Sequence, residues 1–394
     1  MRIKEFLAAL AIAVIMSGST WADVKIGLGA PLSGPNAVFG EQMRRGTDAA
    51  AQALNDAGGV NGEKIVVVYR DDASDPRRGV VAAKELVSQG VVLVIGHFNS
   101  YVSIPVSEVY SEGGVVQITP ASTNTRLTEL GFRTVFRTCG RDDQQGGIAG
   151  AFIAAASRGR NVAVIHDQTT YGKSLADSAK AAMNKAGLTE RMYFGIARGE
   201  RDFSAVVSNM KQAGIDLIYF GGLWDEAGLM LRQAREQGLS ARFVSGDGIV
   251  TQQFWRITGE AGQGALMTFG VDQRNRSAAR DVVAMFRAEN YEPEGYTLYS
   301  YAAVQAWAQA ATKSRSFDAR SVAAALHDGT EYKTVLGGLA FDAKGDRIKG
   351  DYILYIWNGG RFGEATQGDL ANIGGFNQAP TACRICRCCR ESLE

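Results

Sequence analysis

Paired cysteine is missing from the body of this chain. Cys139 stands alone there, and Cys383, Cys386, Cys388 and Cys389 crowd into the last dozen residues. A disulfide framework, common in oxidising compartments, is therefore excluded as the scaffold. Histidine is scarcer still: His97, His166 and His327 are the three in the chain, and their separations do not match metal-ligand spacing. The Cys-rich end has no His and no second, separated ligand pair, so it reads as an atypical Arg-rich tail and not as a zinc site. No G-x-S-x-G elbow is present, which removes a common hydrolase signature. Net charge is also lacking, which argues against a nucleic-acid or membrane surface.

Residues 1–22 read as a secretory leader. Arg2 and Lys4 give a basic start, Phe6 to Met16 is apolar, and Ser17 to Ala22 is a small-residue stretch. The expected cut precedes Asp23. The apolar stretch is shorter than the roughly 20 residues that span a bilayer, and no Cys follows it to carry a lipid. No later segment is apolar enough to insert directly into a membrane. Removing the leader takes two bases and one acid from the 42 and 41 of the chain, leaving 40 of each. The expected mature protein is exported and soluble, with length for two domains of ordinary size.

Between the ends, strand-like and helix-like segments alternate. Val24–Leu28, Ile65–Tyr69, Val91–Ile95 and Val115–Ile118 read as strands, with helices over 40–57, 76–89 and 104–112 between them. The order resumes with strands at Val162–His166, Met192–Ile196, Ile215–Phe220 and Arg242–Ser245, and helices over 176–186, 203–213 and 226–237. Such alternation predicts parallel sheets with right-handed crossovers. There are too many strands for one compact sheet, so two doubly wound lobes are expected. Helices over 278–289, 297–311 and 322–326 follow, then strands at Gly338–Phe341 and Tyr352–Trp357. No Pro/Ser-rich linker separates the lobes, which suits short hinge crossings.

Two apolar runs end in polar segments suited to a small zwitterion. Val91–Ile95 breaks into Gly96-His97-Phe98-Asn99-Ser100, and Val115–Ile118 breaks into Thr119-Pro120-Ala121-Ser122-Thr123. Ligands of open α/β sheets bind beyond the carboxyl ends of the strands. Hydroxyls there, beside free N–H groups of a helix start, fit a carboxylate. Ser100 and Thr123 could also be plain helix caps. Two such segments together favour a site.

Several motifs, in order, resemble those of the periplasmic leucine/isoleucine/valine-binding proteins that feed ABC transporters. They are Leu32-Ser33-Gly34-Pro35, Gly58-Gly59-Val60-Asn61-Gly62, Asp71-Asp72, Ile95-Gly96-His97, Ile118–Thr123, Phe136-Arg137-Thr138, Asp143-Gln144-Gln145-Gly146, Tyr171-Gly172, Asp202-Phe203 and Tyr299 with Ala302-Ala303. The resemblance implies an α/β type I periplasmic-binding fold, two doubly wound parallel-sheet lobes joined by a three-crossing hinge. It places 23–141 plus 271–349 in the first lobe, 142–270 plus 350–368 in the second, and leaves 369–394 as tail.

By that resemblance, Ser100 and Thr123 hold a ligand carboxylate, with Ser122 beside them, and the Ala121 carbonyl accepts from the ligand ammonium. Asp247 supplies the opposing charge where the family commonly has Glu; an Asp beside Gly is also ordinary turn chemistry. Tyr171 closes the site from the second lobe. Phe39 walls the side-chain pocket, or else packs in the core. Leu223 stands where such binders often carry Tyr. Ser74 and Asn99 stand where some relatives pair two cysteines, so that disulfide is missing. No cofactor and no catalysis are implied. The implied partners are a small-molecule amino acid and ABC transporter permease subunits, with the protein a periplasmic monomer.

Other classes fit less well. Gly27-Leu28-Gly29 opens a dinucleotide-binding pattern, but Leu32 holds the third glycine position and Pro31 intrudes. His166-Asp167 resembles a base and its orienter, without a nucleophile beside it. Ligand sensing for a signalling receptor, which uses the same fold, is the second reading.

Overall fold

The computed structural model describes residues 23–157 and 159–374. The expected leader and the cysteine cluster lie outside these residues. The first sheet contains β1 (Val24–Ala30), β2 (Ile65–Asp71), β3 (Leu93–Gly96), β4 (Val116–Thr119) and β5 (Val135–Arg137). All are parallel, in the order β2-β1-β3-β4-β5. The second contains β6 (Val162–His166), β7 (Met192–Gly195), β8 (Leu217–Gly221), β9 (Arg242–Ser245) and β10 (Leu266–Gly270). A small hairpin of β11 (Tyr332–Thr334) and β12 (Gly337–Leu339) follows, and β13 (Tyr352–Asn358) and β14 (Arg361–Glu364) complete the second sheet. Its order is β14-β13-β10-β9-β8-β6-β7.

β3, β4, β6 and β8 are buried along their whole length, as the apolar runs predict for strands covered on both faces. The covering helices are α1 (Ala37–Asp56), α2 (Pro76–Ser88), α3 (Ser100–Glu112), the short α4 (Arg126–Glu129), α5 (Asp142–Ala156), α6 (Thr170–Lys185), α7 (Ser204–Gln212), α8 (Trp224–Glu236) and α9 (Gln252–Thr258). Then come α10 (Arg280–Ala288), α11 (Thr297–Ser314), α12 (Ala319–His327) and α13 (Gln367–Gly374). α11 packs on α1 and β3, and α12 on β4, so this later stretch returns to the first sheet. The chain thus passes between the sheets three times, over 138–141, 271–279 and 340–351. The last crossing enters from the cleft end, which is why β13 pairs antiparallel with β10, and the hairpin to β14 adds a second antiparallel pair to a sheet that is parallel from β10 to β7.

Several elements depart from the sequence reading: β5, β10, β14 and α4 are absent from it, and α6 starts at Thr170, six residues early. α5 has no clear polar face, so periodicity does not reveal it. Its small residues let it lie close against α6: a Cβ on Gly146 would sit 2.5 Å from Ser178 Cβ, and one on Gly150 would sit 2.2 Å from the Ala179 carbonyl oxygen. α3 starts at Ser100 and not near Ile104. The tail expected from 369 begins inside α13, because Thr366 and Asp369 cap that helix reciprocally: Thr366 N donates to Asp369 Oδ2 at 2.8 Å and Asp369 N to Thr366 Oγ1 at 3.2 Å.

The α5–α6 contact gives a paired test. Gly150→Val should destabilise by about 1–3 kcal/mol, as overpacking does. Gly147→Ala, where an added Cβ meets nothing within 4 Å, should be neutral or stabilise by up to about 1 kcal/mol. Urea denaturation of both variants measures the difference.

Candidate functional site

Each residue singled out in the sequence follows the carboxyl end of a parallel strand. Phe39 follows β1, Ser100 follows β3, and Ala121, Ser122 and Thr123 follow β4. Tyr171 follows β6, Leu223 follows β8 and Asp247 follows β9. The strand order reverses between β1 and β3 in one sheet and between β6 and β8 in the other. Those are the switch points where open sheets leave a crevice for ligand. The lobes are shut upon it, since Asn124 Nδ2 donates to the Thr170 carbonyl at 2.8 Å across the cleft.

On the first lobe, the loop after β4 is held from below. Arg137, fully buried, donates through Nη1 to the carbonyls of Ser122 (2.8 Å) and Asn124 (3.1 Å). Its Nε lies 2.6 Å from Asp346 Oδ1, and Arg141 Nη1 lies 2.5 Å from Asp346 Oδ2. Thr119 Oγ1 accepts from the amides of Ala121 and Ser122. With its backbone fixed in this way, the loop leaves Thr123 Oγ1 buried without a hydrogen-bond partner. Ser100 Oγ accepts from Asn124 N at 3.3 Å. It does not act as an N-cap, since Asn99 holds that position and no side chain caps the helix.

Ser122 serves differently from the sequence expectation. Its hydroxyl lies 3.0 Å from the carbonyls of His97 and Phe98 and 2.5 Å from Ser103 Oγ. With its amide on Thr119 as well, it staples the two loops and offers no polar group to a ligand.

On the second lobe, Asp247 is buried and lacks a cation. Its Oδ1 accepts from the Tyr171 hydroxyl at 2.8 Å and from Gln145 Nε2 at 3.3 Å, while Oδ2 has no partner. Gly248 N in turn donates to the Tyr171 hydroxyl at 3.0 Å. Burial pushes the Asp247 carboxyl up to about 6, with Tyr171, Gln145 and Tyr296 offsetting part of the shift. Asp142, at the start of α5, is a second buried acid with an unpartnered Oδ2. Burial pushes it up to about 7, the nearby hydroxyls of Thr123 and Ser174 opposing that and Asp247 adding to it. Unpartnered buried acceptors are costly. Asp142 and Asp247 each leave one such oxygen, and the Thr123 hydroxyl lies beside the first of them.

The remaining wall is aromatic. Phe39 is fully buried and stacks on Phe98 at 4.3 Å between centroids, and Tyr296 sets its edge against both, at 5.8 and 5.5 Å. Phe39 is therefore packed in the core. Leu223 is buried at the start of α8. Sequence reasoning missed Phe98, Tyr296, Asp142, Gln145 and Asn124. Gln145 lay within a motif already noted, and Phe98 and Asn124 flanked predicted site residues. Tyr296 carried no local signal, because it arrives at the start of α11, far along the chain from the other residues.

The histidines serve the scaffold. His97 Nδ1 lies 2.6 Å from Asp72 Oδ2 and Nε2 lies 2.9 Å from the Tyr110 hydroxyl, all buried. His166 Nδ1 accepts from Gln168 N, while Asp167 accepts from Thr169 N and Oγ1 and does not orient the ring. His327 is held between the carbonyls of Arg133 and Asp342. Ser74 Oγ accepts from Asn36 Nδ2 at 2.9 Å.

Fold and site together define a two-lobed binding clamp, with hydroxyls on one jaw and a buried acid on the other. The chain belongs to the periplasmic binding protein family, whose model matches residues 23–361. It is similar to Leu/Ile/Val-binding protein homolog 1 of Brucella suis, 49% identical over 356 residues covering 90% of this chain and 96% of the relative. An amino acid binding protein of Pseudomonas aeruginosa is 47% identical over 360 residues, covering 90% and 96%. Among solved structures, the leucine binding protein LivK of Thermotoga maritima superimposes with a TM-score of 0.81 at 27% identity, covering 87% of this chain and 98% of that one. LivJ of Streptococcus pneumoniae, a branched-chain amino acid transporter substrate binding protein in complex with isoleucine, gives 0.80 at 25% identity, covering 86% and 98%.

The acids predict a pH dependence. A carboxyl raised in the folded state keeps its proton to higher pH than in the unfolded chain, so folding is favoured below the folded value. Without ligand, stability should therefore fall as pH rises from about 4 to 6.5, by on the order of 3 kcal/mol through Asp247. His166, held below its usual value by burial, works the other way. Thermal unfolding across that range should slope less steeply in Asp247→Asn, with Asp142 still contributing.

Proposed function

We propose that this chain is the substrate-binding component of an amino-acid ABC transport system. It captures a neutral, apolar, branched-chain type L-α-amino acid between closing lobes and delivers it to membrane permease subunits. The observation that carries this is the opposition of Asp247, an anion without a cation, to the Thr123 and Ser100 hydroxyls across an apolar wall. A zwitterion with an apolar side chain satisfies all three features together.

In this reading, Ser100 and Thr123 hold the carboxylate with the amides of the α3 start, and the Ala121 carbonyl and Asp247 take the ammonium. Tyr171 fixes Asp247, while Phe39, Phe98, Tyr296 and Leu223 surround the side chain. Lobe boundaries fall at 141/142, 270/271 and 349/350, and α13 continues the second lobe. The leader 1–22 directs export to the periplasm and is removed there. Among the described residues no helix is long and apolar enough to cross a membrane. The names of the relatives speak for transport and not for sensing by a receptor, and those relatives are binding proteins, not enzymes.

Calorimetry should show one-to-one binding of leucine, isoleucine or valine. Asp247→Asn should weaken it well over tenfold, since removing one member of a buried charge pair costs about 2–5 kcal/mol. Heat with a sugar or a dipeptide, and none with these amino acids, would sink the reading. Affinity should also weaken as pH falls below about 6, because the ammonium requires the ionised Asp247.

A further inference from the structure

The lobes meet at a second place, away from the ligand-facing residues. Arg198 lies in the loop after β7, at the edge of the second sheet. Its guanidinium sits 4.8 Å from the centroid of the Tyr101 ring on α3 of the first lobe. Both terminal nitrogens lie 3.5 Å from the Ser74 carbonyl, in the loop after β2. Strand order shows what this location means. The three crossings leave from β5 in the first sheet and from β10 and β13 in the second, whereas β2 and β7 are edge strands on the other side. The contact therefore closes the cleft at its mouth, on the longest lever from the hinge.

The arm is braced on its own lobe. Gln168 Nε2 donates to the Ile196 carbonyl at 2.8 Å, and Gly199 N donates to Glu226 Oε1 at 2.7 Å. Ile196 N donates to the His166 carbonyl at 2.8 Å. These bonds fix the backbone on both sides of Arg198. Asp167 lies behind it, close enough for the guanidinium to lower its carboxyl pKa against the effect of burial.

We propose that Arg198 is a positioning residue for closure, a latch that docks on Tyr101 and the Ser74 carbonyl in the shut state without touching the ligand. This rests on the reading above, in which capture and closure are linked. A contact made only in the closed form shifts the open–closed balance, and apparent affinity follows the closed population. The guanidinium is largely exposed, and a cation–π contact of that kind alters an equilibrium about two- to fivefold.

The test uses the full chain with leucine, isoleucine and valine. Arg198→Ala should weaken binding of all three by the same factor, about two- to fivefold. Dissociation should be faster, and the ligand-free melting temperature unchanged. Arg198→Lys should recover part of the loss, and Tyr101→Phe, which keeps the ring, should bind like the parent. Arg198→Ala combined with Tyr101→Leu should weaken binding no more than the worse single variant. Unchanged affinity, a loss confined to one amino acid, or fully additive losses would overturn the latch. If the parent binds none of the three, the ligand reading fails instead. Ligand-free small-angle scattering then decides the latch: a larger radius of gyration in Arg198→Ala supports it, and identical radii overturn it.

Discussion

A carboxylate sealed from water with no cation beside it is the constraint on which this molecule turns. Asp247 receives a tyrosine hydroxyl and a glutamine amide, yet one oxygen is left over. Neutral donors cannot replace the hydration that an ionised acid gives up on burial. The shut lobes therefore hold Asp247 in a condition that a cationic group, or uptake of a proton, relieves. In the open state the same acid would regain water, so the price of closing without a ligand falls largely on this side chain. Ligand and closure are coupled because they address the same unpartnered charge.

The opposite jaw solves a complementary problem. The loop after β4 must present a hydroxyl and a carbonyl in fixed directions, although loops are ordinarily mobile. Arg137 takes its carbonyls from beneath, Asp346 neutralises Arg137 and Arg141, and Ser122 ties the loop to the one after β3. Asp346 belongs to the third crossing and Arg141 to the first. The ion cluster that stiffens the ligand loop is thus part of the hinge. Buried ion pairs of this kind contribute little net stability against apolar substitutes, but they fix geometry well.

Much of this was legible in the residues. Alternating β-branched runs and amphipathic helices gave most strands of both sheets, though not β5, β10 or β14, and the hydroxyls after β3 and β4 lie where the cleft opens. What stayed hidden has physical reasons. α5 packs through glycine and alanine with little amphipathic contrast, so periodicity could not find it. Tyr296 comes to the site through the fold and not through neighbouring sequence, and the Arg198–Tyr101 contact joins residues nearly a hundred positions apart. Ser122 was misjudged for another reason: a hydroxyl between two site residues looks identical in sequence whether it faces a ligand or a carbonyl. Only its three close neighbours decide that.

The division of labour between the lobes also explains how a clamp with so few polar contacts can discriminate. A ligand offering only an anion engages the hydroxyl jaw and leaves Asp247 unrelieved, so closure gains nothing from it. One offering only a cation meets Asp247 but leaves Thr123 Oγ1 without a partner. An anionic side chain would be driven against the rings of Phe39 and Phe98, which offer it no hydrogen-bond donor. Each failure leaves a buried polar group unpaired, which penalises the closed form more strongly than a missing apolar contact would. On the proposed reading, selectivity for a neutral zwitterion follows from what must be satisfied before the lobes can stay shut.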